Sequence, residues 1–279
     1  MRNKQKQKAP QSALETLLLV LLAALTLVPL FLVVQNSFKS RFYISGDPFV
    51  LPNKETFVAL ENYISGLSAG GFFAAFGRSL LITVVSVGLI VLCTSMAAWY
   101  LMRVRTALTK GMYYLFVFSM IVPFQMVMYT MTYLVGRAKL NTVLGMPFIY
   151  LGFGAGLSVF MLCGFIRGIP RELEEAATID GCTRLQALFR VVLPLALPGI
   201  GTAFGLSFFS GWGQYLYPML LTRSAQYTPV TVGISRLIDN QTPWEMVMTG
   251  TIISIIPAVI IYLMVQKSLI KGMSAGAVK

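Results

Sequence analysis

The sequence predicts an all-α, polytopic membrane protein with six transmembrane helices and a helical loop on the cytoplasmic side between the fourth and fifth spans. Three observations predict it. The first is composition: of 279 residues, 56% are hydrophobic and 11% charged, with a mean hydropathy of +0.74. Soluble domains carry about 25% charged residues, and a soluble core cannot absorb this much apolar side chain. The second is spacing. Uncharged runs cover 16–38, 79–102, 111–136, 140–166, 191–222 and 246–266, each long enough for a helix of roughly 20 residues to cross a ~30 Å hydrocarbon layer. The third is the unequal distribution of Lys and Arg between the two sides that these runs define.

The elements follow in order. Residues 1–13 form a basic N-terminal tail. The first span, 14–34, is too apolar for too long to be the ~7–15-residue core of a cleaved secretory signal, and no small-x-small cleavage site follows it, so it reads as retained. A long outer loop leads to a second span at 79–101. The third and fourth spans fall at 112–133 and 149–167, the cytoplasmic loop at 168–196, the fifth span at 200–221 and the sixth at 248–266. The membrane domain is 14–268, and 269–279 is a second tail. The 191–222 run exceeds one crossing, and Pro194 and Pro198 place its start outside the membrane. Backbone groups in lipid must pair within their own segment, which makes helices the default.

With six spans both termini lie on one side. That side carries Arg2, Lys4, Lys6, Lys8, Arg103, Arg105, Lys110, Arg167, Arg171, Arg184, Arg190, Lys267, Lys271 and Lys279. The other side carries Lys39, Arg41, Lys54, Arg78, Arg137, Lys139, Arg223 and Arg236, some of them in a long loop where charge weighs less. The richer side is cytoplasmic. The net charge of +12 is then accounted for by orientation, and the scatter of basic residues over short loops excludes a nucleic-acid interface.

Several chemistries are also excluded. No carboxylate occurs between Glu61 and Glu172, and the fifth and sixth spans hold none. Ion-coupled carriers mark their pathway with intramembrane ionisable groups, so a secondary carrier is disfavoured. No G-x-x-x-x-G-K-[ST] loop is present to cradle nucleotide phosphates. No nucleophile–base–orienter set suggests an enzyme. The three cysteines, Cys93, Cys163 and Cys182, are too scattered for a disulfide framework, and a chain with no His lacks a structural zinc site. Gly152, Gly154, Gly156, Gly201 and Gly205 are expected at close helix contacts.

The loop gathers scarce acids. Ten acidic residues occur in all, and Glu172, Glu174, Glu175 and Asp180 lie within nine positions. Pro170 suits the first turn of a helix from about 170 to 179, where acids complement the helix dipole. Gly181 suits its left-handed stop. Thr183 with Gln186 makes a capping-box pattern for a second helix. Its apolar face reads Leu185, Leu188, Phe189 and Val192, and Pro194 ends it. Ala176 and Ala177 leave room for another surface to approach.

Glu175-Ala176-Ala177, then Gly181, Val191 and Leu193-Pro194, resembles the E-A-A-x-x-x-G-x9-I-x-L-P signature of ABC import permeases, with Val for Ile. "IRGIPRELEEAATIDGCTRLQALFRVVLPLALPGI", the tail "SLIKGMSAGAVK" and, more weakly, "LENYISGL" resemble the carbohydrate-uptake, maltose-type branch. The resemblance implies a permease subunit of an ATP-driven sugar importer in a bacterial or archaeal inner membrane, with no cofactor of its own. It implies two cytoplasmic ATPase subunits that bind ATP-Mg, a second permease chain and an extracytoplasmic sugar-binding protein. It makes 168–196 the coupling loop. Glu175, Ala176, Ala177, Asp180, Gly181, Leu193 and Pro194 become ATPase-coupling residues. Candidate sugar contacts are Trp212, Gln214, Tyr215 and Tyr217, with Ser119, Gln125 and Tyr129; the alternatives are interfacial belt residues and polar joints between helices. Gly213 stands where the branch usually carries an acid or amide. A permease for a peptide, polyamine or phosphate is the runner-up.

Overall fold

The computed structural model describes residues 13–68, 71–222, 224–238 and 243–277. Arg2, Lys4, Lys6, Lys8, Arg223 and Lys279 of the orientation count, and nearly all of the predicted tail 1–13, lie outside the described residues. In chain order the helices are α1 (Ala13–Ser37), α2 (Arg41–Gly46), α3 (Glu61–Ser68), α4 (Phe72–Arg103), α5 (Ala107–Ile121), α6 (Phe124–Arg137) and α7 (Met146–Arg167). There follow α8 (Glu172–Ile179), α9 (Arg184–Ala187), a π-helical turn (Leu188–Val192), α10 (Leu193–Leu195), α11 (Leu197–Trp212), α12 (Leu216–Leu221), α13 (Val230–Ser235) and α14 (Trp244–Ala277). Strand pairing among the described residues is limited to one bridge, Lys39 with Phe57.

Four helices, α1, α4, α7 and α14, are long and apolar enough to cross a membrane, and two bent helix pairs raise the number to as many as six. The expected third span is therefore corrected: 112–133 is no continuous helix. Alpha5 and α6 meet at 102°. Pro123 supplies no N–H and holds Val122 extended at ψ 110°, so the helix stops there. The expected fifth span, 200–221, also divides. Alpha11 ends at Trp212, and α12 starts at Leu216. The sixth helix is longer than expected, running through 269–277 of the predicted tail.

The chain divides into two compact units, one of residues 1–70 with 237–253, the other of 71–236 with 254–279. In the first unit, α1 exposes every side chain from Ala13 to Phe31, as a helix bathed in lipid does. Its polar end anchors the long loop. Asn62 donates Nδ2 to the carbonyls of Ser37 (2.8 Å) and Lys39 (2.7 Å). Gln35 and Asn36 both donate to the Pro48 carbonyl at 2.9 Å. The buried Lys39 amine donates to the Asp47 carbonyl at 2.8 Å.

Burial lowers the Lys39 pKa below the usual 10.5, and the Asp47 carboxylate offsets part of that. The unfolded chain therefore holds this proton more firmly than the folded one, and loop stability rises with pH between the lowered value and 10.5. Hydrogen-exchange protection of residues 38–58, corrected for intrinsic rate, is expected to rise across that window and to lose the dependence in Lys39→Met; flat protection in the wild type would contradict it.

In the second unit α4 is the spine. Its 32 residues span roughly 48 Å at 1.5 Å each, more than a ~30 Å hydrocarbon layer needs. At its C-terminal end Ala98 and Leu101 pack on Val159, Leu162 and Ile166 of α7, with Leu188, Val192 and Ala196 from the loop. Mid-helix, Val87 packs on Phe208 and Trp212 of α11. At the far end, Ile82 meets Met146, Ile149 and Tyr150 of α7 and Leu221 of α12. Of the glycines expected at close contacts, Gly154, Gly156, Gly201 and Gly205 are so placed, but Gly152 has no foreign atom within 4 Å of a Cβ position. Gly152 faces open space along α7, and that expectation is corrected.

Candidate coupling site

The loop between α7 and α11 is built from local rules. Alpha8 starts at Glu172, two residues later than Pro170 suggested, with Glu172, Glu174 and Glu175 in its first turn. Its end is a Schellman motif: Cys182 N–H donates to the Ala177 carbonyl (2.9 Å) and Gly181 N–H to that of Thr178 (3.1 Å). Gly181 sits at φ +89°, where a side chain is strained. Alpha9 then opens with the expected reciprocal cap, Thr183 N–H to Gln186 Oε1 at 2.8 Å and Gln186 N–H to Thr183 Oγ1 at 3.3 Å.

Beyond this cap two expectations are corrected. Pro194 does not end the helix. It lies at the start of α10, and the helix continues to Leu195 before turning 79° into α11. The preceding π turn, closed by Leu193 N–H on the Leu188 carbonyl, absorbs the irregularity. The expected apolar face also divides. Leu188 and Val192 are buried, while Leu185 and Phe189 are exposed.

The acids divide too. Glu172, Glu175 and Asp180 are exposed, as is Ala176; Ala177 is buried. Val191 and Leu193 are half-buried and Pro194 is exposed. Glu174 turns back to α4. Its Oε1 accepts from Arg103 Nε and pairs with Nη2, each at 2.6 Å, and its Oε2 accepts from Trp99 Nε1 at 2.8 Å. Arg103 Nη2 also reaches the Ile169 carbonyl (3.0 Å). Arg171, just before α8, donates to the carbonyls of Met102 (3.0 Å) and Arg103 (3.2 Å) and so caps the last turn of α4. Glu175, Thr178 and Ile179 line an open groove with Trp99, Tyr100 and Arg103. Sequence reasoning missed Trp99 and Arg103; their i, i+4 spacing at the end of a span was the available signal.

The other candidates scatter. Trp212 is 6% exposed, stacked on Phe208 at 5.9 Å, with its N–H on the Ser254 carbonyl at 2.8 Å. It is a packed core side chain. Trp212→Phe keeps the stack and loses the bond, a cost of about 1–3 kcal/mol. A lower melting temperature with unchanged substrate affinity is expected; the reverse pattern would make Trp212 a substrate contact. Tyr215 is exposed, and so are Ser119, Gln125 and Tyr129. Gln214 and Tyr217 do converge. With Tyr150, Ser207 and Ser210 they line a small cavity beside α4 and α7, and Tyr217 lies 5.8 Å from Tyr150 ring to ring. Tyr150, Ser207 and Ser210 were not among the sequence candidates.

Residues 90–275 match a protein family described as "Binding-protein-dependent transport system inner membrane component". The chain is 34% identical over 270 residues to a probable starch degradation products transport system permease of Thermoanaerobacterium thermosulfurigenes, covering 96% of this chain and 97% of that one. It is 29% identical to a trehalose/maltose transport system permease of Thermococcus litoralis, over 93% of this chain and 94% of that one. The fold superposes with a TM-score of 0.79 on a bacterial ABC transporter that imports the acidic polysaccharide alginate, at 23% identity over 91% of this chain and 94% of that one. A multi-pass helical fold, an ABC-permease loop signature and a match over most of the chain agree: this protein belongs to the family of inner-membrane components of binding-protein-dependent transport systems.

Proposed function

We propose that the chain is a permease subunit of an ATP-driven importer of oligosaccharides, moving substrate by alternating access while separate ATPase subunits supply the energy. The observation that carries this is the loop between α7 and α11. It presents an exposed Glu175-Ala176 edge on a short helix fixed at its C-terminal end by a Schellman motif and followed at once by a capped helix. A rigid, small-residue helix suits insertion into a groove on a partner. Glu175, Ala176 and Asp180 form the docking edge in this reading; Ala177, Gly181, Leu193 and Pro194 hold its shape. The excess of Lys and Arg supports a cytoplasmic position for the loop and both termini. The long outer loop and the 222–246 loop then face the sugar-binding protein, and a second permease, most naturally a different chain, completes the pathway.

The substrate class rests on relatives named for starch degradation products, trehalose/maltose and arabinooligosaccharides. Gln214 and Tyr217, both half-buried at the small cavity, offer the amide and aromatic groups a sugar needs. The test is capture of ATPase subunits by the tagged chain in mild detergent, with Glu175→Arg as the control. Capture that the control loses, and uptake that needs ATP and survives collapse of ion gradients, are expected. Uptake on an ion gradient with no ATPase bound would overturn the reading.

A further inference from the structure

We propose that Trp99, Arg103 and Glu174, backed by Arg171, form a polar lock that carries movement of α8 into α4, so that these four are positioning residues for coupling. The inference rests on the coupling reading above and names the residues through which that loop acts on a span.

Two kinds of contact join the loop to the spans. The first is apolar: Leu188, Val192 and Ala196 against Ala98, Val159, Leu162 and Ile166. Such contact is non-directional, so it resists separation better than sliding or rotation. The second is the polar cluster, and it is directional. Both oxygens of Glu174 are engaged, one by the Arg103 guanidinium and one by the Trp99 indole. Charge-assisted bonds of this kind fix position as well as distance. Trp99 and Arg103 stand one turn apart on α4, so together they grip a length of that helix.

The cluster is closed on each side. Arg103 also holds the Ile169 carbonyl, which fixes the link from α7 into the loop. Arg171 holds the last carbonyls of α4, so the residue that precedes α8 and the residue inside its first turn both seize the same end of the span. Among the described residues, every side-chain hydrogen bond between the 171–179 segment and α4 starts from Arg171 or ends on Glu174. The Arg103 and Glu174 side chains are 13% and 14% exposed. Removing either leaves the other's charge unpaired in a mostly buried position. Glu175, the neighbouring acid, is exposed and makes none of these bonds. Adjacent acids thus divide the labour, one facing outward and one facing the membrane domain.

A passive brace would show the same bonds, so the test reads motion. Cys93 lies on α4, free and exposed on its lipid-facing side, about two turns from the lock, so its reactivity reports the water that reaches this part of the span. Its labelling rate with a membrane-permeant maleimide is measured by mass spectrometry on the chain purified with its captured ATPase subunits, without nucleotide and with ADP and vanadate. In the wild type the rate is expected to change with nucleotide. Glu174→Gln is nearly isosteric but turns an amide against donors. It is expected to retain ATPase capture and cut the nucleotide-driven change about tenfold. Trp99→Phe, which removes a single bond, is expected to cut it about threefold. The exchange Arg103→Glu with Glu174→Arg is expected to recover part of the response. A normal response in Glu174→Gln and Trp99→Phe would overturn the lock, as would loss of ATPase capture in both, which would make the cluster a brace for the docking surface. A wild-type response absent at Cys93 would also overturn it. Absence of any captured ATPase in the wild type would instead strike the coupling reading itself.

Discussion

Gly181→Asp is expected to leave the spans inserted and the chain folded while sugar uptake falls at least about tenfold. Gly181 is at φ +89°, and no atom lies within 4 Å of where a Cβ would stand. The damage is therefore conformational. A non-glycine residue in the left-handed region costs about 1–2 kcal/mol. The chain can relieve that strain by giving up the Schellman bonds from Gly181 and Cys182, and α8 and α9 then lose their fixed angle. A docking edge that flexes at its hinge moves without taking the span along. Gly181→Ala separates strain from charge, because it meets the left-handed cost without adding a charge, whereas Asn and Asp visit that region more readily. Its uptake should fall at least as far as that of the Asp variant. Reconstituted vesicles report both quantities: ATP hydrolysis should persist in Gly181→Asp while transport per ATP collapses. Wild-type transport in that variant would show that the bend is not needed for coupling.

The second large effect is expected on α7. Three glycines two residues apart differ only in what faces them, and Ala at each should give a graded series. A Cβ at Gly152 meets nothing, so Gly152→Ala should be neutral or gain up to about 1 kcal/mol from helix propensity. A Cβ at Gly154 meets the Ile90 Cδ1 atom at 2.7 Å, the end of a flexible side chain that can swing aside. A Cβ at Gly156 meets Ser119 Oγ at 2.6 Å and the Phe116 carbonyl oxygen at 2.7 Å. Backbone cannot swing aside, so α5 must part from α7, at a cost of about 1–3 kcal/mol or more. Thermal denaturation in detergent should rank the variants 152, 154, 156 from most to least stable. Equal melting temperatures would mean that α5 and α7 do not meet where the structure places them. The same contact accounts for Ser119, whose hydroxyl bonds the Phe116 carbonyl at 2.7 Å beside that crossing.

Features set within three or four residues were legible in the sequence. The Thr183–Gln186 cap and the Gly181 stop need only their near neighbours, and both stand where the pattern put them. Charge spacing located the apolar segments but could not report their continuity, because it measures hydrophobic length and ignores where a helix breaks. Pro123 was visible inside the third uncharged run, and its effect on Val122 is what divides α5 from α6. The face of α9 was misjudged because helical period alone does not say which half of an apolar stripe meets the spans: Leu188 and Val192 are buried, Leu185 and Phe189 exposed. Nothing local announced the environment of Glu174, whose partners lie 71 and 75 positions away. The partner of the Trp212 indole N–H, the Ser254 carbonyl, is likewise 42 positions distant. Long-range pairing of polar atoms is what the linear pattern withholds.

The π turn at Leu188–Val192 has a mechanical corollary. It is one surplus residue taken up within a helix, and one residue is worth about 100° of rotation. The Glu175–Ala176 edge proposed for docking and α11 are thereby meshed like gears set one tooth out of register. Substitutions in this stretch change how firmly the gears are held, but a single-residue deletion or insertion changes their phase. Chain length between Gly181 and Pro194 should consequently tolerate far less variation than side-chain identity, since no repacking can turn the edge back to face its partner.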